Sequence, residues 1–290
     1  MKTIVLLLYG VKWCARMGDM TQGEWIANAT KALLKCAITT ARLDALVLMS
    51  YVTKQDKAAI LAHPETALSS ADIATLATAL KRRCNHEPIA YIMGTKEFYG
   101  RNFLVTPNVL IPRPESEDFI NLLKHYPPTK GHKLIDIGTG SGILAISAKK
   151  EFPALSVYVT DVSKAALRVA ATNAKNHAVT IQCIQSNLLH TVPGCFDYIF
   201  ANLPYVPKDY SVSAEVLSEP QRAIFADKNG LALIFRLADQ AKKSLTKDGL
   251  IFVESLIEQQ EEICDHYQKA GLTAIDNAGF IQVFKKSVMS

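Results

Sequence analysis

Four consecutive residues, Asn202-Leu203-Pro204-Tyr205, carry the functional groups needed to hold a planar NH2 group. The apolar run from Tyr198 to Ala201 precedes them and predicts a buried strand, and Pro204 stiffens the loop that follows. Because a residue before proline favours an extended backbone, the Leu203 carbonyl has a defined direction, and Asn202 adds a second acceptor beside it. Two fixed acceptors next to the Tyr205 ring suit an amide or an adenine amine. The alternative interpretation of these residues alone is a strand-end asparagine in a turn.

A glycine-rich loop is the second feature with chemical potential. Residues 138–142, Gly-Thr-Gly-Ser-Gly, follow the apolar run 133–137 and precede a helical pattern. Such a loop exposes backbone N–H groups, and the helix that it opens favours a carboxylate at its N-terminus. Ile143 stands where the dinucleotide fingerprint has its third small residue. The loop therefore suits a ligand without a pyrophosphate, such as S-adenosylmethionine.

Polar side chains fall at the ends of four successive predicted strands. Asp136, Asp161, Asn187 and Asn202 lie at or just after the carboxyl ends of these strands. In an open parallel sheet those ends line one crevice, where ligands bind. Asp161 follows the glycine loop by about twenty residues, which is the spacing of an acid that binds ribose hydroxyls. Together with the loop at 202–205, this arrangement predicts an amino-methyltransferase.

The elements that position these residues alternate between strand and helix from about residue 113 to residue 290, the pattern of a parallel α/β sheet. Apolar runs predict strands at 133–137, 156–160, 181–184, 198–201 and 250–253, and a closing hairpin at 272–275 and 280–284. We therefore expect a methyltransferase catalytic domain over residues 113–290.

Residues 21–84 predict a small helical bundle. Thr21 and Glu24 have the spacing of a capping box, and a third, short helix is expected at about residues 54–62. The bundle carries no chemistry of its own, so we expect a module for substrate recognition or a lid. The triplet Lys81-Arg82-Arg83 at its end predicts a solvated helix terminus, where cations complement the helix dipole.

Between the bundle and the catalytic domain, residues 85–112 have a strand-like pattern and predict a β-hairpin linker. Ile89–Met93 is expected to supply one strand piece, and two aromatic runs flanking Gly100 supply the others. Arg113 follows the linker and lies between two prolines, so its backbone is stiff and its guanidinium is aimed. We expect Arg113 to contact the substrate, and Phe98 or Tyr99 of the linker to close one side of the substrate pocket.

Composition limits the class of protein. The 290 residues carry a net charge of +5, which is below the level typical of a nucleic-acid-binding surface. The six cysteines contain no Cys-x-x-Cys pair and the seven histidines no metal-ligand spacing, which argues against a disulfide framework and a zinc site. No apolar stretch approaches the ~20 residues of a membrane span. We expect a cytoplasmic protein that uses no metal.

Residues 1–20 stand apart from this organisation. Lys2 and the apolar run 4–8 imitate a signal peptide, but the run is short and has no convincing cleavage site. A dispensable tail or an upstream start codon, with Met17 or Met20 as the true start, is one interpretation. A targeting segment and an ordered extension are the others.

Several motifs together resemble the protein release factor glutamine N5-methyltransferases, the HemK/PrmC family. They are His86–Gly94, Glu97–Gly100, Pro107–Glu117 and the loop at 202–205. The resemblance extends from about Thr21 to the C-terminus, and its specific part is the segment from Tyr91 to Glu117, which generic methyltransferases lack. It implies a Rossmann-like class I S-adenosylmethionine-dependent methyltransferase with a seven-stranded, mostly parallel sheet. The implied substrate is the glutamine in the Gly-Gly-Gln motif of peptide chain release factors, bound by a monomer.

The resemblance also implies roles for individual residues. The cofactor-binding set is Asp136, Gly138, Thr139, Gly140, Gly142, Asp161, Asn187 and Asn202. The catalytic and substrate-binding loop is Asn202-Leu203-Pro204-Tyr205, with Tyr205 as a wall of the pocket. Asn187 stands where the family usually has aspartate, and an uncharged acceptor makes a bond about half as strong, so the departure weakens the adenine contact. Leu203 stands where the family commonly has proline, which gives a slightly less rigid loop.

Two alternatives from other classes fit part of the pattern. An adenine N6-methyltransferase acting on rRNA or DNA uses the same acceptor pair, and rRNA adenine dimethyltransferases share Asn-Leu-Pro-Tyr. The modest charge, the absence of a basic C-terminal domain and the linker motif argue against a nucleic-acid substrate. A cofactor-binding scaffold without activity is the second alternative, and the retained Asn202, Pro204 and Tyr205 argue against it.

Overall fold

The computed structural model describes residues 3–8, 11–16 and 20–287. The chain forms two compact units, Met1–Gly94 with Ser213–Ser218, and Thr95–Val212 with Glu219–Ser290. The structure thus assigns residues 85–94 to the first unit and 95–112 to the second.

The helices and strands are named in chain order. The helices are α1 Gln22–Lys35, α2 Ala41–Thr53, α3 Lys57–Ala62, α4 Ser70–Cys84, α5 Ile89–Met93, α6 Asp118–His125, α7 Ile143–Glu151, α8 Lys164–Asn176, α9 Ala214–Leu217, α10 Ala232–Ser244 and α11 Gln260–Lys269. The strands are β1 Thr3–Leu8, β2 Val11–Arg16, β3 Thr95–Phe98, β4 Arg101–Leu104, β5 Lys133–Ile137, β6 Ser156–Asp161, β7 Gln182–Gln185, β8 Phe196–Ala201, β9 Val206–Pro207, β10 Phe225–Ala226, β11 Leu245–Glu254, β12 Leu272–Ala278 and β13 Ile281–Lys286. None of these helices is long and apolar enough to cross a membrane.

The first unit is the expected helical bundle. The capping box opens α1 as predicted, because Thr21 Oγ1 accepts from the Glu24 amide and the Glu24 carboxylate accepts from the Thr21 amide. Trp25, Leu33 and Leu48 are fully buried in its core. Before α1, β1 and β2 pair in antiparallel fashion. Of the two proposed start positions, Met17 lies outside the described residues, and Met20 packs into the bundle core.

The end of α4 differs from the prediction. Arg83 is only 1% exposed, and it forms ion pairs with Asp44 of α2 and Glu215 of α9. Arg82 pairs with Glu87, and only Lys81 of the triplet is exposed as expected. The expectation of a solvated terminus was wrong for Arg83 because its partners are distant in sequence.

The linker prediction was right for its second half only. Ile89–Met93 is helix α5, which follows Pro88 and ends at Gly94 with φ +73°. A short apolar run does not by itself distinguish a strand from a buried helical turn, and here proline and a left-handed glycine delimit a helix. The hairpin forms further on, where β3 pairs with β4 around Tyr99 and Gly100. Both turn residues have positive φ, as a tight hairpin requires.

The second unit contains the predicted seven-stranded sheet, in the order β12-β13-β11-β8-β5-β6-β7. Only β13 runs opposite to the others in this sheet, which confirms the mostly parallel arrangement. The chain proceeds from β5 outward to β7 and then returns to β8 on the other side of β5. This reversal creates a topological switch point between β5 and β8, where open α/β sheets bind ligands.

Both faces of this sheet are buried. On one face Phe200 and Phe252 pack against Phe119 of α6 and neighbouring helices. On the other face Ile199 and Ile251 pack against α10 and α11. Because helices cover both faces of the sheet, the central strands have near-continuous apolar sequences. Their carboxyl ends are held in place by a core on each side.

Candidate active site

Two adjoining cavities open at the carboxyl edge of the sheet. The larger has a volume of about 330 Å³ and the smaller about 50 Å³. They share the lining residues Leu110, Gly138, Gly140 and Asn202. Asp161, Asn187, Leu203 and Pro204 line only the larger cavity, whereas Arg113, Ser116, Asp136 and Thr139 line only the smaller one. The structure therefore brings together most of the residues that the sequence singled out.

The three glycines of the loop have different surroundings. Gly138 has φ +69°, and a Cβ there would lie 3.0 Å from Leu203 Cδ2. Gly140 donates its N–H to Asp161 Oδ2 at 3.1 Å. A Cβ on Gly142 would lie 2.9 Å from Ala170 Cβ, and this glycine lines neither cavity. Gly142 thus allows α7 to approach α8, while Gly138 and Gly140 leave space for a ligand.

Asp136 is the buried carboxyl of the smaller cavity. Its Oδ2 accepts from Thr139 Oγ1 at 2.6 Å. Burial raises the pKa of Asp136 to about 7, against the lowering effect of the hydrogen bonds from Thr139 and from the Ala145 backbone. A cationic group placed beside this carboxyl would favour its charged form. The smaller cavity is therefore suited to an ammonium group.

Asp161 and Asn187 line the larger cavity. Asp161 Oδ1 accepts from the Ser163 amide at 2.8 Å, which together with Gly140 fixes the carboxylate. Burial raises the pKa of Asp161, while those amides and the charge of Arg222 lower it. A carboxylate can accept about four hydrogen bonds, so Asp161 retains capacity for ligand hydroxyls. Asn187 Oδ1 accepts from Arg236 Nη2 at 3.3 Å, so the acceptor expected to meet an adenine amine already has a protein donor.

The Asn202 amide has a defined orientation. Its Nδ2 donates to Ser116 Oγ at 3.0 Å and to Glu254 Oε2 at 2.9 Å. Ser116 Oγ in turn donates to Glu254 Oε2 at 2.7 Å. An ionised carboxylate can only accept, so this form of Glu254 holds the nitrogen of the amide toward it. Asn202 lines both cavities, and its Oδ1 is the amide atom that these bonds leave to accept from a ligand.

Tyr205 and Phe98 occupy different places from those expected. The Tyr205 hydroxyl donates to Glu254 Oε1 at 2.9 Å, and its carbonyl accepts from Gln259 Nε2 at 2.8 Å. Tyr205 lines neither of these two cavities, and its two hydrogen bonds fix the loop. Phe98 is 1% exposed because the register of the β3–β4 hairpin turns it into the core. It has no surface with which to contact a substrate.

Arg113 is held in place by an ion pair with Glu219. Its Nη2 donates to Glu219 Oε1 at 2.5 Å, and the Ile111 amide donates to Glu219 Oε2 at 2.8 Å. Glu219 is buried, while Arg113 is about a third exposed and lines the smaller cavity. The segment that precedes α6 is thus attached to a residue more than a hundred positions later in the chain.

Four residues of this site, namely Ser116, Glu219, Arg236 and Glu254, were not predicted from the sequence. One signal for Glu254 was available. It follows the apolar run 250–253 directly, so the strand-end argument that selected Asp161 also applies to it. Ser116 does not end a predicted strand, and Glu219 lies in a segment without a local pattern.

Proteins similar to this chain are methyltransferases, in agreement with the geometry of the site. The families described as PrmC N-terminal domain and methyltransferase small domain match residues 24–94 and 120–262. A release factor glutamine methyltransferase of Coxiella burnetii is 36% identical over 263 residues, which are 86% of this chain and 92% of that protein. One of Koribacter versatilis is 37% identical over 241 residues, covering 81% and 86% of the two chains. A methyltransferase structure from Pyrococcus furiosus shares the fold, with a TM-score of 0.51, 21% identity and coverage of 66% and 91%. The chain belongs to the release factor glutamine methyltransferase family.

Proposed function

We propose that the protein transfers a methyl group from S-adenosylmethionine to the side-chain nitrogen of the glutamine in the Gly-Gly-Gln motif of peptide chain release factors. The observation that carries this proposal is the orientation of Asn202. Its Nδ2 is engaged by Ser116 and Glu254, which leaves the amide oxygen of a residue that lines both cavities. A fixed acceptor there suits a substrate NH2 group, and the family relationship identifies that group as a glutamine amide.

The residues that line the cavities fit the cofactor. Gly138 and Gly140 leave room for its chain, Asp136 suits its ammonium group and Asp161 its ribose hydroxyls. Asn187 and Arg236 lie together in the larger cavity and would meet the adenine edge. When bound, S-adenosylmethionine supplies a methyl group on a sulfonium.

The protein's own contribution is orientation and charge stabilisation. An amide nitrogen is a poor nucleophile because its lone pair is delocalised into the carbonyl. Asn202 Oδ1 and the Leu203 carbonyl would accept its two hydrogens, turn the nitrogen toward the methyl group and stabilise the positive charge that develops on it. Pro204 restricts the loop that carries both acceptors. The proton leaves to water after transfer, so no side chain is assigned as a general base.

The test is methylation of a recombinant release factor, with the modified glutamine located by peptide mass spectrometry. Asn202→Ala should lower the single-turnover rate by about a hundredfold or more, with binding of the cofactor unchanged. Asn121→Ala removes a surface amide of the same unit and serves as the matched control. An unchanged rate in Asn202→Ala would refute the assignment, and methylation of RNA in place of the release factor would reverse the choice of substrate.

We also propose that the protein acts as a monomer in the cytoplasm. The five cysteines among the described residues 20–287 are all free thiols, which supports a reducing compartment. Sedimentation of the purified enzyme at micromolar concentration tests the oligomeric state, and a stable dimer would contradict it.

A further inference from the structure

Glu254 is a buried carboxylate that the proposed mechanism does not yet use. It ends β11, the neighbour of β8, and is 2% exposed. Three side chains donate to it, from Ser116 Oγ at 2.7 Å, Asn202 Nδ2 at 2.9 Å and the Tyr205 hydroxyl at 2.9 Å. Two of these donors belong to the loop that is proposed to hold the substrate amide.

We propose that Glu254 is a positioning residue for the methyl transfer, which sets the orientation of the Asn202 amide and strengthens its oxygen as an acceptor. This inference rests on the proposed function, because it assigns a role at the same site.

Glu254 restricts the orientation of the Asn202 amide. Rotating the Asn202 amide by half a turn would place Oδ1 against the Glu254 carboxylate, where two acceptors would face each other without a hydrogen. Glu254 would keep Ser116 and Tyr205 as donors, but it would lose the hydrogen bond from Asn202 and face a second acceptor, which disfavours the rotated form. The carboxylate therefore presents Oδ1, and not an NH2 group, to the substrate.

Glu254 also affects the electron density on the Asn202 amide oxygen. A hydrogen bond from Nδ2 to a carboxylate draws electron density toward the amide oxygen, and such chains of hydrogen bonds strengthen one another in a buried site. Burial raises the pKa of Glu254, while the hydrogen bonds from Ser116, Tyr205 and Asn202 lower it. In its ionised form, Glu254 would support the oxygen that faces the positive charge on the reacting nitrogen. A neutral acceptor in the same position would orient the amide without this support.

Glu254 contacts the rest of the loop as well. Tyr205 Oη is attached to the same carboxylate through Oε1, so Glu254 contacts both ends of the segment 202–205. The Tyr205 carbonyl is held separately by Gln259, which keeps the backbone of the loop in place when the carboxylate is changed. A substitution at position 254 should therefore act on Asn202 more than on the course of the chain.

The test compares single-turnover methylation by Glu254→Gln, Glu254→Leu and Ser116→Ala. In Glu254→Gln the amide oxygen can still accept from Asn202 and Ser116, while its nitrogen faces the Tyr205 hydroxyl. We expect a rate about tenfold lower with an unchanged cofactor Kd, because orientation persists and the charge is lost. Glu254→Leu should lose about a hundredfold, and Ser116→Ala, which leaves the carboxylate on Asn202, should lose less than about threefold.

A double variant separates positioning from structural damage. If Glu254 acts through Asn202, then Asn202→Ala with Glu254→Gln should be no slower than Asn202→Ala alone. Losses that multiply in the double variant, or an unchanged rate in Glu254→Gln, would overturn the inference.

An NMR measurement that does not depend on activity separates the positioning role of Glu254 from the proposed function. In the 15N-labelled wild type, the side-chain amide protons of Asn202 should resonate downfield and exchange slowly, and Glu254→Gln should move them upfield. A wild type that methylates no release factor would refute the proposed function, whereas resonances that Glu254→Gln leaves in place would refute the positioning role.

Discussion

Gly138 and Leu203 are in contact across the carboxyl edge of the sheet, so closely that a Cβ on Gly138 would lie 3.0 Å from Leu203 Cδ2. The contact follows from topology, because Ile137 of β5 pairs with Ala201 of β8 immediately before these residues. The glycine loop and the acceptor loop are therefore adjacent at the switch point. A side chain at position 138 would therefore meet the side chain that precedes Pro204.

Gly138→Ala should weaken cofactor binding by at least about tenfold, measured by titration calorimetry. The substitution adds a methyl group against Leu203 and imposes a left-handed conformation that costs an alanine about 1–2 kcal/mol. Gly194→Ala is the matched control, since its φ is +89° and its added Cβ would meet nothing within 4 Å. Equal losses of affinity in the two variants would show that the crowding is not responsible.

Much of this site was predictable because one rule applies to several strands. Asp136, Asp161 and Asn202 follow apolar runs, and the carboxyl ends of parallel strands meet at one edge. The rule does not give the order of strands in the sheet. Only the structure shows that β11 is next to β8, which is what brings Glu254 to Asn202. The function of a strand-end residue therefore depends on which strand lies beside it.

The predictions that failed concern Arg83, Ile89–Met93 and Phe98. Arg83 has the local pattern of a solvated helix end, but Asp44 lies 39 positions earlier and Glu215 lies 132 positions later. Ile89–Met93 is too short for its periodicity to select a helix or a strand. Phe98 has a side chain that suits a pocket, but the hairpin register buries it. Tertiary packing overrides the local sequence at Arg83 and Phe98, whereas Pro88 and Gly94 delimit the helix at Ile89–Met93.

Asp44→Ala should destabilise the helical bundle by about 3 kcal/mol, because it leaves the buried Arg83 guanidinium without its buried partner. Glu215→Ala should cost less than about 1 kcal/mol, since that carboxylate is 42% exposed and Arg83 keeps Asp44. Urea unfolding followed by circular dichroism measures both free energies. Equal costs in the two variants would contradict this distinction between the buried and the exposed pair.

Arg113→Ala should lower the free energy of unfolding by about 2 kcal/mol, because the buried Glu219 carboxylate then keeps only the Ile111 amide as a donor. Adding Glu219→Gln to Arg113→Ala should recover part of the loss, since a neutral amide needs no counter-charge. A double-mutant cycle by urea unfolding measures this coupling. Additive effects of the two substitutions would show that the pair is energetically independent.

The buried carboxyl of Asp136 should make stability depend on pH. Burial raises its pKa from 3.8 to about 7, so between these values the folded protein retains a proton that the unfolded chain releases. This contribution to stability is fully present at low pH and is lost as the pH rises through about 7. The free energy of unfolding of Asp136→Asn, relative to wild type, should therefore increase from pH 5 to pH 8. A constant difference over this range would contradict the shifted pKa.

The same carboxyl should couple cofactor binding to proton release. If S-adenosylmethionine binds as proposed, its ammonium and sulfonium would lie beside Asp136, favour the ionised carboxylate and lower its pKa. At a pH just below 7, binding should therefore release a proton from the fraction of protein in which Asp136 is protonated. Titration calorimetry in two buffers of different ionisation enthalpy would detect this as a buffer-dependent binding enthalpy. The dependence should disappear in Asp136→Asn, and an enthalpy that is equal in both buffers for the wild type would show that the cofactor does not act on this carboxyl.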